Sequence, residues 1–356
     1  MKMTKRKYQV RFLTPGFLGN ARQDGQWRTP PFKALLRQWW RVAWVEQNDF
    51  SNDVRALHDA EDKLFGSAAG ESGCRSRVRL RLGHWDLGKL KSWDGLEQRT
   101  VRHPEVQRTG YKVGPHAYLG FGPLDGRGGT KLGKPNAAIQ GGESADLRLA
   151  FPSPNGDAGA ALLDRALALM HGFGTLGGRS RNGWGSFALL TTDGSALTLH
   201  QLPQRDWQAC LDRDWPHAIG SDGQGALIWQ TGASDDWKSL MRQLAEIKIG
   251  LRTQKAFEFH SGNNTSHPEA RHWLSHPVTE HNVRPWKQGR KQGRLPNSLR
   301  FKVRADDDGR LRGVIFHVPC LPPPQLFHPD ADAIKQVWQQ VHAFLDGRDD
   351  LHRSPA

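Results

Sequence analysis

Cysteine is scarce in this chain of 356 residues: Cys74, Cys210 and Cys320 are the only three, and they lie far apart. They form no CxxC pair, so neither a disulfide framework nor a cysteine-type zinc site is expected. No apolar run approaches the roughly 20 residues that a membrane helix needs. The N-terminal stretch MKMTKRKYQVRFL is basic, with no long apolar region and no small-residue cleavage site. No signal peptide is read there, and a cytoplasmic protein without membrane contact is expected. Paired carboxylates with a defined partner are missing; DDDGR (306–310) reads as a hairpin turn. No cofactor is expected.

Acid is also in short supply. Fifty Lys and Arg face 36 Asp and Glu, a formal charge of +14. Such an excess points to a polyanionic partner, nucleic acid first. The charge is not spread evenly. Residues 1–41 carry ten basic side chains against one acid, Asp24, and residues 252–300 carry nine against three. Residues 201–250 are slightly acidic, so two positive patches or one shared groove are expected. Fourteen tryptophans are many for this length. Most should fill cores, and those beside Arg or Lys could stack on bases.

The length suggests two domains, each able to bury a core. KYQVRFL alternates as a strand over about 7–13, ended by Thr14-Pro15-Gly16. A helix follows over about 31–47, with Thr29 as cap and Pro30 and Pro31 in its first turn. A second helical piece (VRALHDAEDKLFGS) ends at Gly66. SRVRLRL (76–82) reads as a strand with one wet basic face. Residues 84–145 have weak periodicity and read as a long basic insertion, in which GRGGTKLGKPN (126–136) could be a mobile finger. ADLRLAFP (145–152) is a strand, AGAALLDRALALMHGF (158–173) the clearest amphipathic helix, and GWGSFALLT (183–191) the next strand.

The first half therefore reads β-α-β-β-α-β, the order of the split βαβ, ferredoxin-like fold. The second half repeats it more faintly, with a strand at 225–231, a helix at 236–252, a hairpin around DDDGR and a last helix. The expected fold class is α+β: two ferredoxin-like (RRM-like, βαββαβ) domains in tandem, 1–200 and 201–356. The linker is expected within 192–223.

Two features suggest a site. The helix PFKALLRQWWRVAWVEQN divides into stripes. Phe32, Leu35, Leu36, Trp39 and Val42 should pack on a sheet, whereas Lys33, Arg37, Trp40, Arg41 and Trp44 form another face. That face is either a solvated basic surface with its tryptophans partly buried, or a phosphate-binding and stacking surface. The second feature is GGRSRNGWGSF (177–187). One glycine would suffice as a helix cap; Gly177, Gly178, Gly183 and Gly185 exceed that need. Glycines admit a ligand close to the backbone, and exposed N–H groups in such loops form anion-binding nests. Arg179 and Arg181 add charge and Trp184 a π face, a combination that suits phosphates with attached bases. The loop lacks GK[ST] and a preceding strand, so it is not a Walker loop.

A duplicated ferredoxin-like order with a glycine-rich loop before the last strand resembles the RAMP superfamily of CRISPR proteins. Three stretches narrow the resemblance to the family of the first subunit of the type III-B Cmr effector. They are FLTPGFLGNA followed by RTPPFKALLRQWWR, DAEDKLFGSAAGESGCRSRVRL, and NSLRFKVRADDDGRLRGVIFHVPCLPP. Asn20 and Ala34 depart from glycines that relatives often carry. The resemblance implies a non-catalytic RNA-binding subunit of an RNA-guided, RNA-targeting effector in antiviral defence. It would sit near the 3′ region of the guide RNA, engage target RNA and contact other Cmr subunits. The expected RNA-binding residues are Lys33, Arg37, Trp40, Arg41, Lys131, Lys134, Gly177, Gly178, Arg179, Arg181, Gly183 and Trp184.

The alternative is a metal-independent endoribonuclease that processes guide precursors with a histidine, as other RAMP proteins do. His58, His84, His116 and His171 are candidates, none with a partner that spacing identifies. HPEARHWLSHPVTEH gathers His267, His272, His276 and His281. His272 and His276 share a helical face and could ligate a metal, but Pro268 and Pro277 interrupt it, and a solvated or polyanion-contacting loop is preferred.

Overall fold

The computed structural model describes residues 3–68, 73–97, 99–107, 113–126, 129–133, 138–152 and 157–354. It is a mixed α/β structure with several antiparallel sheets. The first strand, β1 (Met3–Phe12), alternates as its sequence requires: Tyr8, Val10 and Phe12 point into a core, and Lys5, Lys7, Gln9 and Arg11 point out. Helices α1 (Thr29–Gln47) and α2 (Val54–Phe65) follow, then strand β2 (Arg79–Leu82). After the insertion come β3 (Ser144–Pro152), helix α3 (Asp157–Phe173) and strand β4 (Phe187–Leu190). The sheet order is β2-β3-β1-β4, antiparallel throughout. Helices α1 and α3 cover one face of it, where Phe32, Leu36, Trp39, Leu163, Leu167 and Met170 meet the strands.

The second half repeats this connectivity. Strand β5 (Ile228–Thr231), helix α4 (Trp237–Arg252), strands β6 (Leu299–Ala305) and β7 (Leu311–His317), helix α5 (Ala331–Asp346) and strand β8 (Leu351–Arg353) follow in order. The sheet order is β6-β7-β5-β8, the same pattern of second, third, first and fourth strand. Strand β8 has only three residues and no alternation to betray it; its pairing with β5 makes it a strand.

Asp53, Asp236 and Asp330 cap α2, α4 and α5 with side-chain oxygens. Helix α1 begins differently. Its N-cap is Arg28, without a side-chain cap, and Thr29 is already helical. The prolines at its start need no N–H partner there.

Three expectations are corrected or narrowed. The insertion is not a free loop: Trp93, Leu119 and Leu124 enter the second hydrophobic core, and its short helix Pro115–Gly120 lies against α4. Within 192–223, where the linker is expected, Gln204–Asp206 and Ile219–Asp222 pair in a three-stranded sheet with Gly225–Ala226, so a linker could occupy only part of that span. The histidine-rich segment is solvated only in part, with His267 exposed. His272 and His276 are buried around Trp286, and their ring nitrogens meet backbone groups: the Glu269 N–H and the carbonyls of His281 and Gly293. Among the described residues no group of three or more His, Cys, Asp or Glu could hold a metal, and no helix is long and apolar enough to cross a membrane.

The two halves are joined through β6. Its alternating Arg300, Lys302 and Arg304 lie on one strand face, toward the first half. The Lys302 ammonium, fully buried, donates to the carbonyls of Gly174 (2.5 Å) and Phe187 (3.0 Å). Arg304 donates to the Gly172 carbonyl at 2.6 Å and lies over the Phe173 ring. The Val303 N–H donates to Ser186 Oγ, and the Phe301 N–H to the Arg181 carbonyl. Phe173 meets Phe316 with ring centroids 4.9 Å apart. Burial pushes Lys302 well below the usual lysine range, and neighbouring Arg304 adds to that.

Candidate nucleic-acid interface

The glycine-rich loop leaves α3 at Phe173 and turns back into β4. Its glycines are there first for packing. A Cβ on Gly185 would lie 1.9 Å from the Leu176 carbonyl oxygen, and one on Gly177 would lie 2.7 Å from that of Phe17. Both residues have positive φ, 66° and 95°. The N–H groups of Gly178, Gly183 and Gly185 donate to the carbonyls of Phe17, Ser180 and Pro15. Those three glycines are therefore not free to hold a ligand oxygen, as the sequence reading expected of Gly178 and Gly183. The N–H groups of Gly177, Arg179, Ser180 and Arg181 have no acceptor among the described residues.

Trp184 has no exposed ring face with which to stack on a base. It is fully buried at the centre of an aromatic cluster of Phe17, Trp93, His116 and Trp237, with centroids 5.5–6.0 Å from its own. Trp40 is likewise buried, edge-on to Phe65 of α2. Both stacking expectations are corrected for one reason: a large ring beside a packed element gains more from burial than from water. Arg37 and Arg41 are engaged as well. Both donate to the Glu61 carboxylate of α2, Arg41 at 2.7 and 2.8 Å. Glu61 is almost wholly buried, while both guanidiniums keep over a third of their surface in water. Lys33 is half-buried on the same side of α1, and burial and Arg37 push it below the ordinary lysine range.

The loop does meet α1, on a different side of the helix. Pro31, Ala34 and Gln38 of α1, Gly177, Ser180 and Arg181 of the loop, and Arg300 of β6 line an open cleft of about 260 Å³. The Ala34–Gln38 side lies roughly 100° around the helix from the Lys33–Arg37 stripe. Arg181 is exposed; Arg300 is half-buried, with its Nε unpartnered. Burial pushes Arg300 down to about 10, and the nearby Arg181 charge adds to it. Among the described residues, no carboxylate and no histidine line the cleft. Two guanidiniums close together without a counter-charge repel each other, a cost that an anion between them would remove.

Arg179 extends the charge. Its Nε donates to the Phe121 carbonyl at 2.6 Å, and Arg294 lies near enough to add to the lowering that partial burial causes. Lys131 is exposed on a short hairpin opposite Asp125, and that hairpin's Pro123 would touch a Cβ placed on Gly178. Lys134 lies outside the described residues. Sequence reasoning missed Arg294 and Arg300. The signal for Arg300 was present: Arg300, Lys302 and Arg304 recur with period two in a strand that otherwise reads as core. A larger cleft of about 390 Å³ lies elsewhere, between α4 and β8, and carries Asp349 and Asp350. Its charge is wrong for a polyanion.

The histidines weighed as acid–base groups lie elsewhere. His171 accepts the Leu189 N–H at 3.0 Å, and burial, with Lys302 and Arg304, lowers it to about 3. His116 is buried in the aromatic cluster, with Nε2 3.0 Å from the Lys238 carbonyl. His84 lies 3.2 Å from Asp86 at the end of β2.

Residues 9–188, about half of the chain, match the family model described as the RAMP superfamily. Among solved structures, the chain is similar to the crystal structure of Cmr1 from Pyrococcus furiosus in its apo form. The two are 16% identical over 99% of this chain and 98% of that one, with a TM-score of 0.48. It is also similar to a chain of the type III-B Cmr-beta complex bound to cognate target RNA and AMPPnP in the presence of ssDNA. There the identity is 10%, the coverage 96% and 99%, and the TM-score 0.49. No curated protein matches the chain.

Proposed function

The chain belongs to the RAMP superfamily, and from that premise we propose that it is a non-catalytic RNA-binding subunit of a type III-B CRISPR effector. In this reading it sits near the 3′ region of the guide RNA and engages target RNA alongside other Cmr subunits. The two halves, 1–200 and 201–356, are two ferredoxin-like domains; the repeated strand order supports this. The N-terminal, LFG-turn and C-terminal hairpin stretches support the type III-B assignment.

The observation that carries RNA binding is the cation-lined cleft. Arg181 and Arg300 come from different halves and line the same space, and among the described residues no carboxylate lines it with them. Gly177, Ser180 and Arg181, whose N–H groups have no acceptor among the described residues, line the same cleft. Arginines and backbone N–H groups suit phosphate oxygens, and neither reads base identity. A subunit that meets any guide or target needs that tolerance. The cleft offers no general acid or base: Arg stays protonated, and the other lining side chains do not titrate near neutral pH.

The test is single-stranded RNA binding by the full chain over a range of salt. Replacing Arg181 and Arg300 together by Ala should weaken binding about tenfold or more and flatten the dependence of log Kd on log salt by about 1.4, two contacts at about 0.7 each. Cleavage of repeat RNA by the purified protein should not occur. An unchanged slope in the double variant sinks the cleft assignment, and metal-independent cleavage lost on changing one histidine sinks the non-catalytic one.

A further inference from the structure

The open face of the first sheet is a second cationic surface. Helices cover one face of β2-β3-β1-β4; on the other, β4 packs Ala188 and Leu190 against the second core, while the outward cations of β1 and β2 and Arg148 of β3 are exposed. Strand β1 exposes Lys5, Lys7 and Arg11 there, β2 exposes Arg79 and Arg81, and β3 exposes Arg148. The register aligns them. Arg81 stands opposite Arg148, and Arg148 opposite Lys7, a row of three cations across three strands. Arg79 and Lys5 flank Ala150 in the next row on the same face.

Like charges directly opposite on a sheet are destabilising. One acid offsets the row: Asp146 lies 3.2 Å from Lys7 and 3.5 Å from Arg148. Six cations against one carboxylate leave this face strongly positive. Folding does not call for it, since Tyr8, Val10, Leu147 and Leu149 bury the other face whatever the outward residues are. Neutral or alternating charges would make a more stable sheet. Among the described residues the strands present no aromatic ring on this face: beside the cations and Asp146 they place Met3, Gln9, Ser144, Ala150, Pro152, Ala188 and Leu190 there.

We infer that this sheet face binds the sugar–phosphate backbone of a nucleic acid, independently of the cleft at Arg181 and Arg300 and without stacking on bases. The inference goes beyond the RNA-binding role proposed above and rests on it for the partner's class. Charge selects a polyanion, and arginines at four of the six positions favour the two-pronged recognition that phosphate oxygens accept. The absence of rings removes the stacking by which an RRM-like sheet grips single bases. The expected binding is therefore indifferent to sequence and strongly salt-dependent.

The experiment uses the full chain and three variants: Arg79→Ser/Arg81→Ser/Arg148→Ser, the same three positions changed to Lys, and Arg181→Ala/Arg300→Ala. Binding of oligo-rU and oligo-rA of about 20 nucleotides and of an RNA duplex of about 20 base pairs is measured between about 50 and about 500 mM NaCl, and folding is checked by thermal melting. The serine variant should melt no lower than the parent, because it removes repulsion. Its affinity should fall on the order of tenfold, equally for rU and rA, with a salt slope shallower by about 2 on the single strands. The lysine variant should keep the slope, and the losses at face and cleft should add. An unchanged slope and affinity in the serine variant, with loss in the cleft variant, overturns the sheet inference and leaves the cleft reading intact. Loss in the serine variant alone refutes the cleft instead. Poly-glutamate that displaces RNA at equal charge concentration would assign the face to acidic protein and overturn the inference too.

Discussion

Arg181 and Trp184 stand three residues apart in one loop, and the sequence offers the same role to both. Their environments are opposite. Arg181 reaches water beside Arg300, while Trp184 lies among four rings with no exposed surface. Replacing Trp184 by Ala should cost about 3–5 kcal/mol of stability, the usual range for emptying a buried aromatic site. Urea unfolding checks the loss, and the fraction still folded should bind RNA as before. Weaker RNA binding at unchanged stability would restore the stacking role. The same contrast limits what a composition of glycine, arginine and tryptophan can say. It identifies a loop that bears charge and needs close backbone approach. Which of its side chains turn outward depends on Phe17, Trp93 and Trp237, which are remote in sequence.

At the scale of elements, α1 shows what periodicity does and does not resolve. Its apolar stripe packs on the sheet as read, because period 3.6 determines which side chains share a face. The second stripe is ambiguous, since a face of Arg and Trp can meet solvent, RNA or another helix. Here it meets α2, where Glu61 accepts from both Arg37 and Arg41. Changing Glu61 to Gln would leave Arg41 without a counter-charge and Arg37 with only Asp62, 3.8 Å away. Stability should fall by on the order of 1 kcal/mol, because the guanidiniums stay partly hydrated and screened. Non-specific affinity for RNA should rise at low salt. Filter binding to oligo-rU at about 50 mM and 300 mM NaCl checks this against the steep salt dependence of phosphate contacts; no gain at the lower salt would show that the pair already presents its charge to solvent. Strand β6 gives the converse lesson. Its basic alternation is legible, but a basic alternation ordinarily means a wet face. In the folded chain Lys302 and Arg304 are taken up by the carbonyls of Gly172, Gly174 and Phe187, and only Arg300 is left at the cleft.

For the whole molecule, buried neutral histidines set the response to acid. His217 and His342 are lowered to about 4, first by burial, and His171 to about 3. His317 is driven down as well, by burial and by His342, whose Nε2 lies 3.0 Å from its Nδ1. An unfolded histidine titrates near 6.5. Between about pH 6.5 and about 4 the unfolded chain therefore takes up protons that the folded chain refuses. Stability is full above about 6.5 and falls as pH drops through that window, by about 1–2 kcal/mol each for His217 and His342 at about pH 5. Denaturant unfolding at about pH 7.5, 6 and 5 checks it; a flat profile across this range would mean the rings are protonated or hydrated in the native state.

Local pattern alone determined most of the elements and their order, because alternation, helical period and turn residues act within a few residues of one another. It also determined the excess of positive charge, and with it the expectation of a polyanionic partner. Tertiary structure decided which cations remain available. Arg37, Arg41, Lys302 and Arg304 spend their donors on internal acceptors; Arg181 and Arg300 keep theirs for the cleft, and on the sheet face one carboxylate, Asp146, meets only Lys7 and Arg148 of the six cations. Desolvation and pairing depend on neighbours far away in sequence, and only the folded chain brings those neighbours to each guanidinium.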